Sequence, residues 1–198
     1  LYFQSAVTSD GGATGSTALA FTATAGPSTV PSMDQGELYD GRIAAALEGW
    51  SRVGFSHPGW VAAEAPRISP ATMGSTLSAH TLPITTDRDY TPEAITEPIP
   101  GVWVVDFGQN QAGQVTLRLS DCPRGRVVAM QHAEILRPSG LINDAFCERP
   151  KYWLCQVRQW ANYTCAGTAN EEYRVTFVSM GFRYVRSHAW RGCGNCLL

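Results

Sequence analysis

The second half of the chain contains several segments in which apolar and polar residues alternate. Residues 114–119 alternate strictly, with Val115, Leu117 and Leu119 on one face, and residues 173–178 show the same pattern. A period of two places successive side chains on opposite faces of a β-strand. Residues 101–108 are apolar at neighbouring positions, which predicts a strand that is buried on both faces.

Further strands are predicted at residues 127–136, 160–165 and 182–190, with turns rich in Gly and Pro between them. Strands at this spacing, punctuated by turn residues, are typical of sandwiches and jelly rolls. Prolines at 92, 98 and 100 favour edge strands in that region. The apolar run 43–47 fits either one helical turn or an extended segment. We therefore predict an all-β chain, an antiparallel β-sandwich or jelly roll.

Composition indicates the domain limits and argues against two kinds of partner, nucleic acid and a membrane. Residues 1–5 resemble the remnant of a protease-cleavage tag, and 6–35 form a low-complexity lead-in with one candidate strand at 17–24, a linker being the alternative. The sandwich is expected at 36–192, followed by a C-terminal tail at 193–198. A net charge of -2 argues against nucleic acid, and no apolar run is long enough for a membrane span.

The cysteines favour an oxidising compartment. Six cysteines allow 15 complete pairings, and the sequence does not choose among them. Asn162-Tyr163-Thr164 is a glycosylation sequon, so the chain is expected to be secreted or at the cell surface. Cys193 and Cys196 have zinc-knuckle spacing, but no second pair completes four ligands, so no metal site is predicted. The disulfide candidates are Cys122, Cys147, Cys155, Cys165, Cys193 and Cys196.

Four stretches together resemble the α-L-rhamnosidases of glycoside hydrolase family 78. They are GELYDGR with LEGWSRVGFSHPGW (36–60), ITEPIPGVWVVDFGQNQAGQVTLRL (95–119), GRVVAMQHAEIL (125–136) and GFRYV (181–185). The resemblance covers roughly residues 36–190. It implies the β-sandwich that precedes a catalytic barrel of paired helices.

The resemblance also implies that the catalytic carboxylates belong to that barrel, downstream of GFRYV. The chain ends eight residues after Trp190, so we expect it to lack the barrel and to have no catalytic residue of its own. Two departures from the family pattern stand out: an insertion, KYWLCQVRQWANYTC, at 151–165, and Ser179-Met180 in place of an aromatic-His pair. They keep a degenerate, non-enzymatic relative open as an interpretation.

Several polar residues could contact a carbohydrate. Asp106, Gln109 and Asn110 lie at a strand end and a Gly-flanked loop, where they could bind sugar hydroxyls. The structural alternative is that Asp106 and Asn110 tie loop backbone groups together, as Asx residues in turns do. His132 and Glu134 are predicted on one strand face. A glycosidase needs two carboxyl groups set around the bond, so this pair is expected to be a buried couple or part of a docking surface.

The tryptophans of the insertion, Trp153 and Trp160, are the candidate sugar-stacking residues, whereas core burial is the default for Trp103. No regular series of Asp and Asn ligands predicts calcium, which stays open, and no other cofactor is expected. The first hypothesis is an accessory module that supports a catalytic barrel and contacts rhamnose-containing glycans. The second is a stand-alone, lectin-like interaction domain that has lost the enzyme.

Overall fold

The computed structural model of the 198-residue chain describes residues 22–32, 36–63, 85–86, 88–144, 159–188 and 195–197. The chain divides into two compact units, residues 1–25 with 50–84, and residues 26–49 with 85–198. In the first unit, β1 (Thr22–Ala23) pairs antiparallel with β4 (Val61–Ala62). The elements of the second unit are β2 (Ser28–Ser32), β3 (Gly36–Asp40), α1 (Gly41–Ala46), β5 (Ala94–Ile99), β6 (Val102–Gly113), β7 (Thr116–Ser120), β8 (Val127–Ala133), β9 (Trp160–Thr164), β10 (Asn170–Arg174), β11 (Met180–His188) and β12 (Asn195–Leu197).

Within its described residues, the second unit contains two sheets. One has seven strands in the order β2-β3-β9-β8-β11-β6-β5, and the other has three in the order β10-β7-β12. All pairs are antiparallel except β3 with β9, which runs parallel. Buried side chains from both sheets form one hydrophobic core, so the sheets pack face to face. The predicted all-β sandwich is confirmed.

The core follows the alternation in the sequence. On β7, Leu117 and Leu119 are almost fully buried while Arg118 between them is exposed. On β6, Val105 faces the main core, and Val104 packs on the opposite side with Ala133 and Ile142. β6 is therefore buried on both faces, as its continuous apolar run predicts.

The borders of the seven-stranded sheet carry the residues that interrupt pairing. β5 contains Pro98 and lies at the sheet edge, where a missing N–H costs no ladder hydrogen bond. At the other side, the run after β3 forms the short helix α1, and the Asp40 side chain caps it by accepting from the Arg42 N–H at 2.9 Å. Within the part of the chain that the structure describes, no helix is long and apolar enough to cross a membrane.

A buried carboxylate links the two sheets. Glu171, on β10, is 7% exposed. Its Oε2 accepts from the Tyr163 hydroxyl at 2.6 Å and the Ala166 N–H at 2.8 Å, and its Oε1 accepts from the N–H groups of Gly167 at 2.8 Å and Thr168 at 3.0 Å. The turn that follows β9 is thus held by a side chain of the opposite sheet.

A second buried carboxylate, Glu37 on β3, is 1% exposed. Its Oε2 accepts from the backbone N–H groups of Thr176 at 3.0 Å and Phe177 at 3.1 Å. Beside it, the rings of Tyr39 and Tyr173 lie 5.0 Å apart. Burial, together with the charge of Glu37, raises the pKa of both hydroxyls. Both tyrosines therefore stay neutral, and they pack as large aromatic groups.

A disulfide bond lies at the end of the sandwich where β7 and β9 finish. Cys122, in the turn after β7, is bonded to Cys165 at the end of β9, with Cα atoms 6.0 Å apart. Both residues are buried, and 43 positions separate them in the chain. The structure thus selects one pair from the six candidate cysteines. Cys147, Cys155 and Cys193 lie outside the described residues, and for Cys196 only the position on β12 is described.

His132, on β8, belongs to the interior. It is 2% exposed, and its ring meets the Phe182 ring edge-on at 4.8 Å between centroids. Its Nδ1 lies 2.8 Å from the Gln159 carbonyl oxygen, which also accepts from the His132 backbone N–H at 3.1 Å. Nδ1 donates to that carbonyl, because a carbonyl oxygen only accepts. Burial lowers the pKa of His132 to about 4, so the ring is neutral near pH 7.

We expect the Cys122–Cys165 disulfide to contribute about 4 kcal/mol, the loop-closure value for this separation. The double variant Cys122→Ala, Cys165→Ala should lose that amount in urea unfolding under oxidising conditions, alanine being chosen because both sulfurs are buried. Equal unfolding midpoints for the variant and the unreduced wild type would contradict a bond at this position.

We also expect His132 to make the fold sensitive to mild acid. Its pKa in the fold, about 4, lies below the unfolded value of roughly 6.5, so only the unfolded chain takes up this proton between the two values. Stability is complete above the unfolded pKa and falls as pH drops toward the folded pKa, by at most roughly 3 kcal/mol. His132→Gln, which keeps an N–H for Gln159, should flatten this part of the profile in urea titrations. An unchanged slope would assign the acid sensitivity to other groups.

Candidate functional site

Strand register brings most of the candidate residues to one end of the seven-stranded sheet. Tyr184 on β11 lies opposite both Asp106 on β6 and Ala133 on β8, and Gln131 on β8 lies opposite Trp160 on β9. Neighbouring strands are about 4.8 Å apart, so β6 and β9 are roughly 15 Å apart across this end. We call the group formed by Asp106, Gln109, Asn110, Glu134 and Arg183 the polar end.

The DFGQN segment leaves the regular ladder. On β11, Phe182 pairs with Gln111 and Tyr184 with Asp106, so four residues of β6, 107–110, lie opposite the single residue Arg183. Gly108 has a φ of +80°, and a Cβ there would collide with the Glu93 carboxylate. The left-handed backbone conformation favours glycine at this position. The segment is an enlarged β-bulge, a feature that redirects side chains out of the ladder.

An ion pair fixes the bulge. Arg183 Nε donates to Asp106 Oδ1 at 2.8 Å and Nη2 donates to Oδ2 at 2.9 Å, a bidentate arrangement. The same Oδ1 accepts from the Gly108 N–H at 2.7 Å, which forms an Asx turn. The Arg183 guanidinium, helped by the Gly108 N–H, holds the pKa of Asp106 below its ordinary value. Asp106 therefore stays ionised and is unsuited to donate a proton to a leaving group.

The bulge presents two amide side chains. Gln109 is exposed, and its Nε2 donates to the Tyr90 hydroxyl at 2.8 Å. Asn110 is exposed as well. Next to them, the Arg183 guanidinium carbon lies 5.1 Å from the centre of the Tyr184 ring, within the range of a cation–π contact. The polar end thus combines amides, a guanidinium and an aromatic ring.

His132 and Glu134 are not brought together. β8 ends at Ala133, so Glu134 lies beyond the strand and is exposed, while His132 points into the core. The Glu134 Oε1 would be 3.3 Å from a Cβ at Gly181, which places this carboxylate beside the start of β11. Glu134 therefore belongs to the surface of the polar end. His132 belongs to the core beneath it, where it packs against Phe182.

The other candidates lie on β9 or outside the described residues. Trp160 is half-buried at the start of β9, and Trp153 falls in the undescribed range 145–158. Asn162 of the sequon lies in the middle of β9 between β8 and β3, and its Oδ1 is buried without a hydrogen-bond partner. That environment differs from the surface loop typical of a glycosylation acceptor. Glycosylation at Asn162 stays a prediction.

Three residues that matter here were missed by the sequence reasoning: Arg183, Tyr90 and Glu37. Arg183 could have been found, because the Asp of DFGQN and the Arg of GFRYV occur together and have opposite charges. Tyr90 and Glu37 reach their partners only through the fold. Among the described residues, no group of three or more His, Cys, Asp and Glu side chains could hold a metal ion.

Comparison with known proteins extends these observations. Residues 96–194 match the family described as the bacterial α-L-rhamnosidase concanavalin-like domain. An α-L-rhamnosidase of Streptomyces avermitilis is 33% identical over 171 residues, which is 86% of this chain and 15% of that protein. The chain therefore spans less than a fifth of the relatives it matches.

Solved structures show the same fold. The α-L-rhamnosidase of Dictyoglumus thermophilum superposes with a TM-score of 0.73 at 28% identity, over 87% of this chain and 18% of that one. The Streptomyces avermitilis enzyme, solved in complex with L-rhamnose, gives 0.65 at 29% identity, over 86% and 16%. The bulge and the arginine strand that holds it both lie within the matched residues 96–194, and the chain belongs to the family of bacterial α-L-rhamnosidase concanavalin-like domains.

Proposed function

We propose that this chain is the accessory β-sandwich of an α-L-rhamnosidase and that it supports the catalytic barrel of its parent protein. The observation that carries the proposal is the family match over residues 96–194, combined with relatives of which the chain covers only 15–18%. A sandwich of this size has a core of its own and acts as one module of a longer enzyme.

The polar end is the surface that we assign to docking. Contacts between modules of one chain are more polar than obligate interfaces, and the polar end offers exposed amides and a carboxylate on a fixed backbone. Gln109 and Asn110 project from the bulge and are the residues that would meet both the barrel and a rhamnose-containing glycan bound there. The Asp106–Arg183 pair acts as a positioning element for them.

Chemistry within the module itself is not proposed. Hydrolysis of a glycosidic bond requires a proton donor and a second carboxylate on either side of the bond. Asp106 is bound by Arg183 and has a lowered pKa, which makes it a structural group. The polar end therefore supports a role in positioning and contact.

We also propose that the chain works in an oxidising compartment, as a secreted or cell-surface protein. The buried Cys122–Cys165 disulfide supports this, because such bonds persist mainly outside the reducing cytosol.

The docking proposal is tested in a parent protein that joins this module to a barrel, with Asn110→Arg as the variant. The bulky cation should open the contact between modules, raise protease cleavage at the junction between this module and the barrel, and lower hydrolysis of an aryl rhamnoside. Asn170→Arg, the same change at an exposed position on the three-stranded sheet, is the matched control and should leave both readouts unchanged. A gene without a helix-patterned region after this module would overturn the proposal.

The lectin-like alternative gives a different result in solution. We expect no saturable change in tryptophan fluorescence when L-rhamnose is titrated into this chain alone, because the module is proposed to meet sugar only together with the barrel. A saturable response that Asn110→Ala abolishes would contradict this and favour a stand-alone lectin.

A further inference from the structure

The loop between β10 and β11 displays a large apolar side chain on a restrained backbone. Phe177 is 61% exposed, although the residues on either side of the loop, Val175 and Val178, are almost completely buried. Single exposed apolar residues are common on protein surfaces, so exposure alone indicates nothing. The backbone around Phe177 distinguishes it.

Two side chains that are distant in the sequence hold this loop, one as an acceptor and one as a donor. Glu37 accepts from the N–H groups of Thr176 and Phe177, at 3.0 and 3.1 Å. Gln114 Nε2 lies 3.2 Å from the Thr176 carbonyl oxygen and 3.4 Å from that of Val178, and donates to them. Two donors and two acceptors of a short loop are therefore satisfied by side chains more than 60 positions away in the chain.

The use of Glu37 is informative because burying a carboxylate is costly. Glu37 is 1% exposed and accepts from two backbone N–H groups of this loop. Taking a carboxylate out of water costs several kcal/mol unless hydrogen bonds compensate it. Here that group orients a two-residue segment whose only large side chain points to solvent. A preorganised loop with an exposed aromatic residue is typical of an interface anchor, because little conformational entropy is lost on binding.

The loop also lies at the same end of the seven-stranded sheet as the polar end. It leads directly into β11, whose first residues pair with the end of β6 just beyond the bulge. Gln114, which holds the loop, follows β6 closely after Asn110. Glu37 is the second residue of β3 and lies opposite Ala161, near the start of β9. Phe177 therefore shares an end with the polar end.

We propose that Phe177 is the apolar anchor by which this module docks to the catalytic portion of its own parent chain, with Glu37 as the residue that positions it. This inference rests on the proposed function, because the occupant is the part of the protein that the relatives carry beyond the matched 15–18%. In the docked protein, Phe177 is the apolar contact at the centre of the interface, and the residues of the polar end form the polar rim that orients the two modules.

The test uses a parent protein that joins this module to a barrel, with Phe177→Ala as the variant. Protease cleavage at the junction reports the population of undocked molecules when opening is fast, and loss of an anchor should raise it by at least about tenfold. Val127→Ala is the matched control: Val127 is 47% exposed at the opposite end of β8 and should change nothing. In this chain alone, Phe177→Ala should shift the melting temperature by less than about 2 °C, because an exposed side chain contributes little to the fold.

Glu37→Gln separates positioning from general stability. It should raise junction cleavage while Phe177 is present and add nothing further in the Phe177→Ala background, whereas a purely structural Glu37 would give additive effects. Docked modules that resist cleavage equally with and without Phe177 would overturn the anchor and leave the proposed function standing. A parent protein that lacks a barrel would overturn both. A concentration-dependent dimer of this chain that Phe177→Ala dissolves would overturn the proposal in favour of a second copy as the occupant.

Discussion

The sandwich depends on the carboxylate of Glu171, which carries a polar connection through the space between its two sheets. Four donors converge on it, three of them backbone N–H groups of the turn after β9. Hydrogen bonds to a charged group contribute about 1.5–3 kcal/mol each, which offsets the desolvation of the carboxylate. The turn also carries Cys165, so the geometry needed for the disulfide is set at the same place. Hydrophobic packing joins the sheets, and Glu171 on β10 adds a hydrogen bond from Tyr163 on β9 between them.

Three carboxylates of the module thus have three different tasks. Glu171 joins the sheets, Glu37 holds a loop from the inside, and Asp106 fixes a bulge at the surface through Arg183. Each accepts from backbone N–H groups, which gives a direction to segments that have no regular ladder. Irregular backbone held on a rigid scaffold is where proteins usually place their contacts.

The strands were predictable because their pattern is local. Alternation in residues 114–119 and the continuous apolar run of β6 were enough to place both strands and their buried faces. The prediction of β10 was less accurate, because the strand spans Asn170–Arg174 whereas the alternating pattern covers residues 173–178. The choice between a helical turn and an extended segment after β3 was decided by the Asp40 cap. The motifs shared with α-L-rhamnosidases were sufficient to identify the family, because several of them occur together in a fixed order along the chain.

The candidate site was less predictable, because its residues act over long distances. His132 and Glu134 were expected to form a buried couple or part of a docking surface, but β8 ends at Ala133, so His132 is buried in the core and Glu134 is exposed. The partner of Asp106 lies 77 positions away, and the disulfide was one of many arithmetically equal pairings. Periodicity carries no information on such contacts. Paired motifs of opposite charge, such as those of Asp106 and Arg183, are the one signal that could have revealed them.

The parallel pairing of β3 with β9 has a consequence for biosynthesis. Gly36 lies opposite Trp160, so β3 must wait for a strand that is made 124 residues later. At about 5–20 residues per second, this delay is on the order of 6 to 25 seconds on the ribosome. During that time β3 presents an unpaired edge to other nascent chains. The order of strands in this sheet therefore makes the speed of translation and the availability of chaperones part of what determines the yield of folded protein.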